Sequence, residues 1–452
     1  MAPSTQMAER PSPEVGGGSS ARVSNKKLLT HSLASLIDQA LLSGLNFALG
    51  LVLIRLATKE SYGVYSQLYV AGIFASTVVE ALITGPLTTI APGKTPEQRA
   101  RLSTLLLRFQ WQLSIGLALL FGVGSAVVAK VAAIDAHPIL LGIAFAIYLF
   151  ANAQREYHRS ISFIEARPRR VLHTDVAYAL AVAVGIGILL LVGYFTVPAI
   201  LLVMGLANIA GMWRSTDHGY ARAQHDPTAF RAAVAEVMQR GRWALPGALV
   251  AWATNYSYLY LAAAFMGVAA SADLNASRLL LMPISLSVLA WSRVARPMVS
   301  RLFAARDWKH LDRLAWASVA GIEALTVLYV IVLWLALPWL QAHVLGAKYH
   351  GLEPMVLAWG GYFAINAARW IGSSWLTSND QYKLLLLSGV ACLVIMLISA
   401  AVFIPLYGAW GAILSLIIVE AFDLLLIWVV FLPMLRRRNA AANLPSPPPA
   451  NP

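Results

Sequence analysis

Twelve separate stretches of this chain are each about long and apolar enough to cross a lipid bilayer, which takes ~20 apolar residues in a helix. They lie near 28–54, 62–90, 102–129, 139–160, 171–193, 197–213, 243–267, 272–300, 314–340, 354–377, 384–404 and 409–433. Their residues are apolar nearly all round, as in membrane-spanning helices. The alternation on a period of two that marks transmembrane β-barrels does not occur. Only 12% of residues are charged, half the share of a typical soluble domain, so an ordinary water-soluble enzyme is excluded. The single cysteine, Cys392, excludes a disulfide framework and a thiolate metal cluster. The expected fold is therefore all-α and polytopic, with twelve transmembrane helices.

Charge sets the orientation. The net charge is +13, which in a soluble protein suggests nucleic acid. In a membrane protein it reports Lys and Arg kept on the cytoplasmic side, so no nucleic-acid partner is expected. With the N-terminus inside, all but six of the 34 Lys and Arg fall on cytoplasmic segments. The exceptions are Arg55, Lys59, Lys130, Arg278, Lys348 and Arg369. Arg155 and Arg159 count here as residues of an inner connection. Both termini are thus expected in the cytoplasm; the Ala- and Arg-rich composition fits a GC-rich bacterial genome, and hence a bacterial inner membrane.

The predicted organisation is a Pro/Ser/Gly-rich tail over 1–27, a six-helix lobe over 28–217, a cytoplasmic linker over 218–241, a second six-helix lobe over 242–435, and a basic, Pro-rich tail over 436–452. Asp226-Pro227 has the form of a helix start, with Asp as N-cap and Pro at N1, and Gly241 that of a stop. Phe230, Val234, Val237 and Met238 share one face. Two readings fit this helix: an amphipathic helix on the inner leaflet, or a solvated linker. The two lobes repeat weakly. Gly85-Pro86 is echoed by Arg296-Pro297, and Gly193-Tyr194-Phe195 by Pro405-Leu406-Tyr407-Gly408. Two similar lobes facing one another make a transporter layout with a central cavity.

Gly93-Lys94-Thr95 lacks the earlier glycine of a phosphate loop, since Thr88 stands there and Pro96 follows at once. No zinc motif occurs and no cofactor is implied. The outer loops are short, without the large external loop that a lipid-linked sugar polymerase would need, so the chain reads as a non-enzyme.

Polar side chains in the spans are the candidate sites, because an ionisable group in hydrocarbon costs a few kcal/mol. Arg278 lies in the eighth span, one turn after Asn275 and before Pro283, with Arg293 on roughly the same face. Lining a cavity and snorkelling to headgroups are the competing readings for both arginines. Arg55 ends the first span as an interfacial anchor or a ligand contact. Asp38, Gln39, Asn46 and Asn255 either face a substrate path or bond neighbouring helices. Arg369, deep in the tenth span, pairs with Glu420 or Asp423 of the twelfth as a structural ion pair.

Four segments in order resemble polysaccharide flippases of the Wzx-like polysaccharide transport family, in the multidrug/oligosaccharidyl-lipid/polysaccharide exporter superfamily. Leu53-Ile54-Arg55-Leu56-Ala57-Thr58-Lys59-Glu60-Ser61-Tyr62-Gly63-Val64-Tyr65 is similar to the signature after their first helix, with Ala57-Thr58 in place of a Leu-Gly pair. Ala276-Ser277-Arg278-Leu279 followed by Met282-Pro283 resembles the start of their eighth helix, without the usual preceding Gly-x-Tyr. Leu345-Gly346-Ala347-Lys348-Tyr349 and Ile404-Pro405-Leu406-Tyr407-Gly408-Ala409-Trp410-Gly411-Ala412 are similar to two of their loops. The resemblance implies two lobes around a cavity lined by helices 1, 2, 7 and 8. It also implies alternating-access flipping of an isoprenoid-diphosphate-linked oligosaccharide, with membrane lipids and polysaccharide polymerase or export machinery as partners. A multidrug/cation antiporter of the same superfamily is the alternative; it would need acidic residues for drug and ion, for which Glu420 and Asp423 are the candidates.

Overall fold

The computed structural model describes residues 25–134, 137–213, 226–305, 307–349, 351–379 and 381–441. Among them every element is helical: α1 (Asn25–Leu56), α2 (Lys59–Val79), α3 (Gly85–Ile90), α4 (Pro96–Val131), α5 (Pro138–Ile164), α6 (Pro168–Val192) and α7 (Val197–Met212) form the N lobe. The C lobe holds α8 (Pro227–Met266), α9 (Val268–Leu279), α10 (Met282–Ala304), α11 (Trp308–Leu340), α12 (Glu353–Ser378), α13 (Tyr382–Tyr407), α14 (Ala409–Leu425) and α15 (Leu432–Ala441). Each predicted stretch is helical. By length and composition, eight helices could cross a membrane, or nine if the bent pair α9–α10 is one span. α7 is short, and α8 and α12 carry more polar residues, so these measures alone do not give twelve crossings. Of the tails predicted over 1–27 and 436–452, residues 25–27 instead begin α1 and 436–441 continue α15; residues 1–24 and 442–452, residues 214–225 with the start of the linker predicted over 218–241, and the Arg293, Arg296 and Pro297 side chains lie outside the described residues.

Local sequence sets the helix ends. Thr95 accepts from the Gln98 amide while the Gln98 side chain returns to the Thr95 amide, with Pro96 in the first turn, a reciprocal cap that satisfies two orphan donors. Asp226 caps α8 by accepting from Thr228 and Ala229, and those hydrogen bonds hold its carboxyl below the usual carboxylate range. Gly267, at φ 87°, breaks the chain between α8 and α9 in a conformation that only glycine adopts readily. The eighth span bends by 53° between Leu279 and Met282. Pro283 has no amide hydrogen to donate back to Leu279, and the Tyr329 hydroxyl donates to the Leu280 carbonyl at 2.7 Å.

Long apolar faces on α4, α6, α11 and α13, among them Leu119, Leu120, Leu180, Val327 and Ile398, stay exposed, as they must where the neighbour is lipid. Let the end at which α1 begins be the inner end. The lobes meet at their outer ends. Gly63 of α2 packs so closely on α9 that a Cβ there would lie 2.2 Å from the Val268 carbonyl oxygen, the small-residue contact that lets membrane helices approach. Asn275 donates to the Tyr62 hydroxyl at 3.1 Å and to Ser66 at 2.9 Å. Lys59 pairs with Asp273 at 2.7 Å.

At the inner end α8 runs unbroken from Pro227 to Met266, so the linker helix and the seventh span are one helix. Gly241 does not stop it. A Cβ there would meet the Leu82 backbone at 3.0 Å, so the glycine serves close packing. The buried face of this segment, Ala233 and Val237, joins a core with Leu82, Leu87, Leu102 and Leu106 of the N lobe. Arg240 donates to Thr89 at 2.8 Å and Lys94 pairs with Glu236 at 2.8 Å. The helix is thus docked on the N lobe.

Candidate functional site

A cavity of about 520 Å³ is sunk into the inner half of the N lobe, between α1, α2, α5 and α6. Its wall is polar: Gln39 and Asn46 from α1, Tyr69 and Thr77 from α2, Asn152 and Arg155 from α5, and Tyr178 from α6 all line it. The α5 side is built on two arginines. Arg155 donates to Asp175 at 2.5 Å, to Asn208 at 2.7 Å and to Glu156 at 3.1 Å, and lies 4.0 Å from the Tyr178 ring centre. Arg159, one turn on, donates to the other Asp175 oxygen at 2.7 Å, to Glu156 at 2.7 Å and to Asp38 at 3.0 Å. Asp175 has no exposed side-chain surface. Two guanidinium groups thus face three carboxylates, and every carboxylate is tied to at least one arginine. Ionised pairs out of water persist only with such dense bonding.

Glu80 closes the other wall. It begins a π-helical turn, Glu80–Thr84, whose wide ring is closed by the Gly85 amide donating to the Glu80 carbonyl. Pro86 explains the widening, since its ring cannot fit against the carbonyl four residues back in a regular helix. The Glu80 side chain is exposed, lines the cavity and has no ion-pair partner among the described residues.

Few of the sequence-predicted residues belong to this cavity, and Arg278, Arg55, Asn255, Asn275 and Arg369 are not among those that line it. Gln39 and Asn46 line it, and Asp38 lies behind it on Arg159. Asn275 sits at the outer contact between the lobes. Asn255 is half-buried and donates to the Ala251 carbonyl of its own helix at 2.7 Å. Arg55 is exposed at the outer end, where Lys348 donates to its carbonyl at 3.2 Å and also to the Ala57 carbonyl. Arg369 donates through Nε to Glu420 and through Nη1 to Asp423 at 3.4 Å. Arg278 donates to the Tyr258 hydroxyl at 2.8 Å and lies 5.4 Å from the Trp359 ring, 5.8 Å from Tyr256 and 5.9 Å from Tyr258. All three rings belong to the C lobe, and no carboxylate among the described residues pairs with it.

Sequence reasoning missed Arg155 and Arg159 as site residues by placing them in an inner connection; both lie within α5, and Arg155 is 4% exposed. A signal was present. Tyr148-x-x-x-Asn152-Ala153-x-Arg155 recurs as Tyr362-x-x-x-Asn366-Ala367-x-Arg369. Each arginine donates through Nε to a side chain on the last long helix of its lobe, Asn208 or Glu420. The weak repeat of the lobes is thus also a repeat of an arginine clasp.

No protein-family model matches the chain, and no curated protein matches it. Solved structures do. An inward-facing multidrug resistance MATE family transporter of the MOP superfamily aligns with TM-score 0.72 at 12% identity, over 90% of this chain and 96% of that one. An outward-facing MATE family transporter aligns with TM-score 0.59 at 13% identity, over 93% and 97%. A MOP superfamily transporter from Pyrococcus furiosus, described as having a binding pocket of reversed polarity, aligns with TM-score 0.64 at 12% identity, over 92% and 96%. At such identities the likeness shows the fold, and that fold is the two-lobed helical architecture of MATE transporters in the MOP superfamily.

Proposed function

We propose that this chain is a flippase that carries an isoprenoid-diphosphate-linked oligosaccharide across the bacterial inner membrane by alternating access, for polysaccharide biosynthesis or export. The observation that carries the reading is Arg278. A guanidinium in a spanning helix without a carboxylate partner is costly. Its aromatic neighbours offset part of that cost through their ring faces and leave donors for an anion. A diphosphate suits such a planar donor fork. The apolar tail stays in the bilayer while the head group moves. Polymerase or export proteins are the partners this reading implies.

Glu80 favours a second reading, a multidrug/cation antiporter, because an uncompensated carboxylate in a cavity attracts cations. Reconstitution separates the two. Proteoliposomes holding a fluorescent isoprenyl-diphosphate sugar should show saturable transfer between leaflets. Cation-gradient-driven ethidium transport without any lipid transfer would replace the flippase reading with the antiporter.

In this reading both termini and the inner half of α8 are cytoplasmic. Cysteines placed at Lys59, Lys130 and Lys348 in a Cys392→Ser background should label from outside intact cells, and one at Arg231 should not. The opposite pattern would invert the orientation.

A further inference from the structure

We infer that the N-lobe cavity is the subsite for the glycan part of the substrate, and that Glu80 determines its specificity by selecting a sugar with a free amine. The inference rests on the flippase reading and adds to it which sugar chemistry the cavity accepts.

Charge is the first ground. Both arginines of the wall are spent on Asp175, Asp38 and Glu156, so neither offers an uncompensated positive charge to a ligand. Glu80 is the lining carboxylate with no such partner among the described residues. The diphosphate therefore has no reason to enter this cavity, and an acidic sugar facing Glu80 would meet like charge. Shape and chemistry are the second ground. The volume lies in the ~300–1,000 Å³ range of small-molecule sites. Gln39, Asn46 and Asn152 line the cavity with amide groups of a kind suited to hydroxyls, although Gln39 also donates to Ser43 at 3.4 Å and Asn152 to Ser76 at 3.3 Å. Tyr69, half-buried and stacked on Tyr65 with 6.1 Å between ring centres, offers an apolar ring edge or face to a pyranose. Position is the third. The π-turn and the following Gly85-Pro86 fix where the Glu80 side chain starts, and π-turns occur often at functional sites.

A carboxylate accepts from a neutral hydroxyl, but an ammonium gives a charge-assisted bond roughly twice as strong. N-acetylation removes that charge. The cavity should thus rank an amino sugar above its N-acetylated form, and both above a uronate.

The test uses the full chain in lipid nanodiscs and measures dissociation constants for four probes. These are a glucosamine disaccharide, its di-N-acetylated form, a glucuronate-containing disaccharide, and ethidium as a lipophilic cation without sugar. The amine disaccharide should bind about tenfold tighter than the acetylated one, the equivalent of one charge-assisted bond. Glu80→Gln should bring the two within about twofold, and Glu80→Asp should keep the order with a smaller ratio. Equal binding of the amine and acetylated probes to the wild type overturns the role of Glu80, whether or not the variants fold. So does an unchanged ratio in Glu80→Gln. Isoprenyl diphosphate, titrated in parallel, still binds in that case and leaves the flippase reading standing. Ethidium binding tighter than every sugar and lost in Glu80→Gln, with no binding of isoprenyl diphosphate, overturns both.

Discussion

Arg278→Ala is expected to reduce lipid transfer by about thirtyfold or more while the protein still inserts at wild-type abundance. The rate effect follows from removing a charged group that bonds a charged ligand, which costs at least ~2 kcal/mol and so exceeds tenfold. The abundance effect follows from what Arg278 touches. Its hydrogen-bond partner is the Tyr258 hydroxyl, and its other neighbours are aromatic rings. Truncation strands no opposite charge, leaves one hydroxyl to re-pair at ~1–3 kcal/mol, and removes a cation from an apolar span, which is favourable by a comparable amount. Arg278→Lys keeps the charge but not the fork and should retain partial transfer. Immunoblotting of membranes beside the transfer assay decides the matter. If abundance and transfer fall together in Arg278→Ala, the arginine is a packing element and the diphosphate contact is wrong.

What the sequence made legible, and what it did not, divides along one physical line. Apolar runs and their interruptions are local, so each predicted stretch is a helix, and a proline, Pro283, stands beside the bend at Leu279–Met282. Depth is not local. Arg155 and Arg159 have the composition of a helix end near the headgroups. Their side chains are instead largely buried in the lobe, where Asp175 from α6 and Asp38 from α1 neutralise them, partners distant in sequence. Gly241 misled for the same reason. Glycine signals a helix end when nothing presses on it, but here the backbone of the π-turn does. From the sequence alone Glu80 reads as a structural or interfacial carboxylate. Its lack of a partner depends on where the two arginines spend their charge.

The arginine clasp gives the second large effect, which falls on the amount of folded protein and not on the transfer rate. Arg155→Ala should sharply lower the amount of folded protein, because it leaves Asp175, with no exposed side-chain surface, short of one of its two guanidinium partners. It also strips Asn208 of the Arg155 donor at 2.7 Å. Breaking a buried pair from one side costs ~3–5 kcal/mol, a large part of the ~5–15 kcal/mol by which a domain is stable. Arg155→Lys should rescue little, since one ammonium cannot reach Asp175, Asn208 and Glu156 from a single fork position. The double variant Arg155→Ala/Asp175→Asn should recover much of the loss. It removes the stranded charge together with its partner, and Arg159 keeps Asp38 and Glu156. Thermal unfolding of the detergent-purified variants supplies the double-mutant cycle. Additive losses in the double variant would show that Arg155 and Asp175 do not act as a unit, and that the N-lobe wall is held by packing rather than by the clasp.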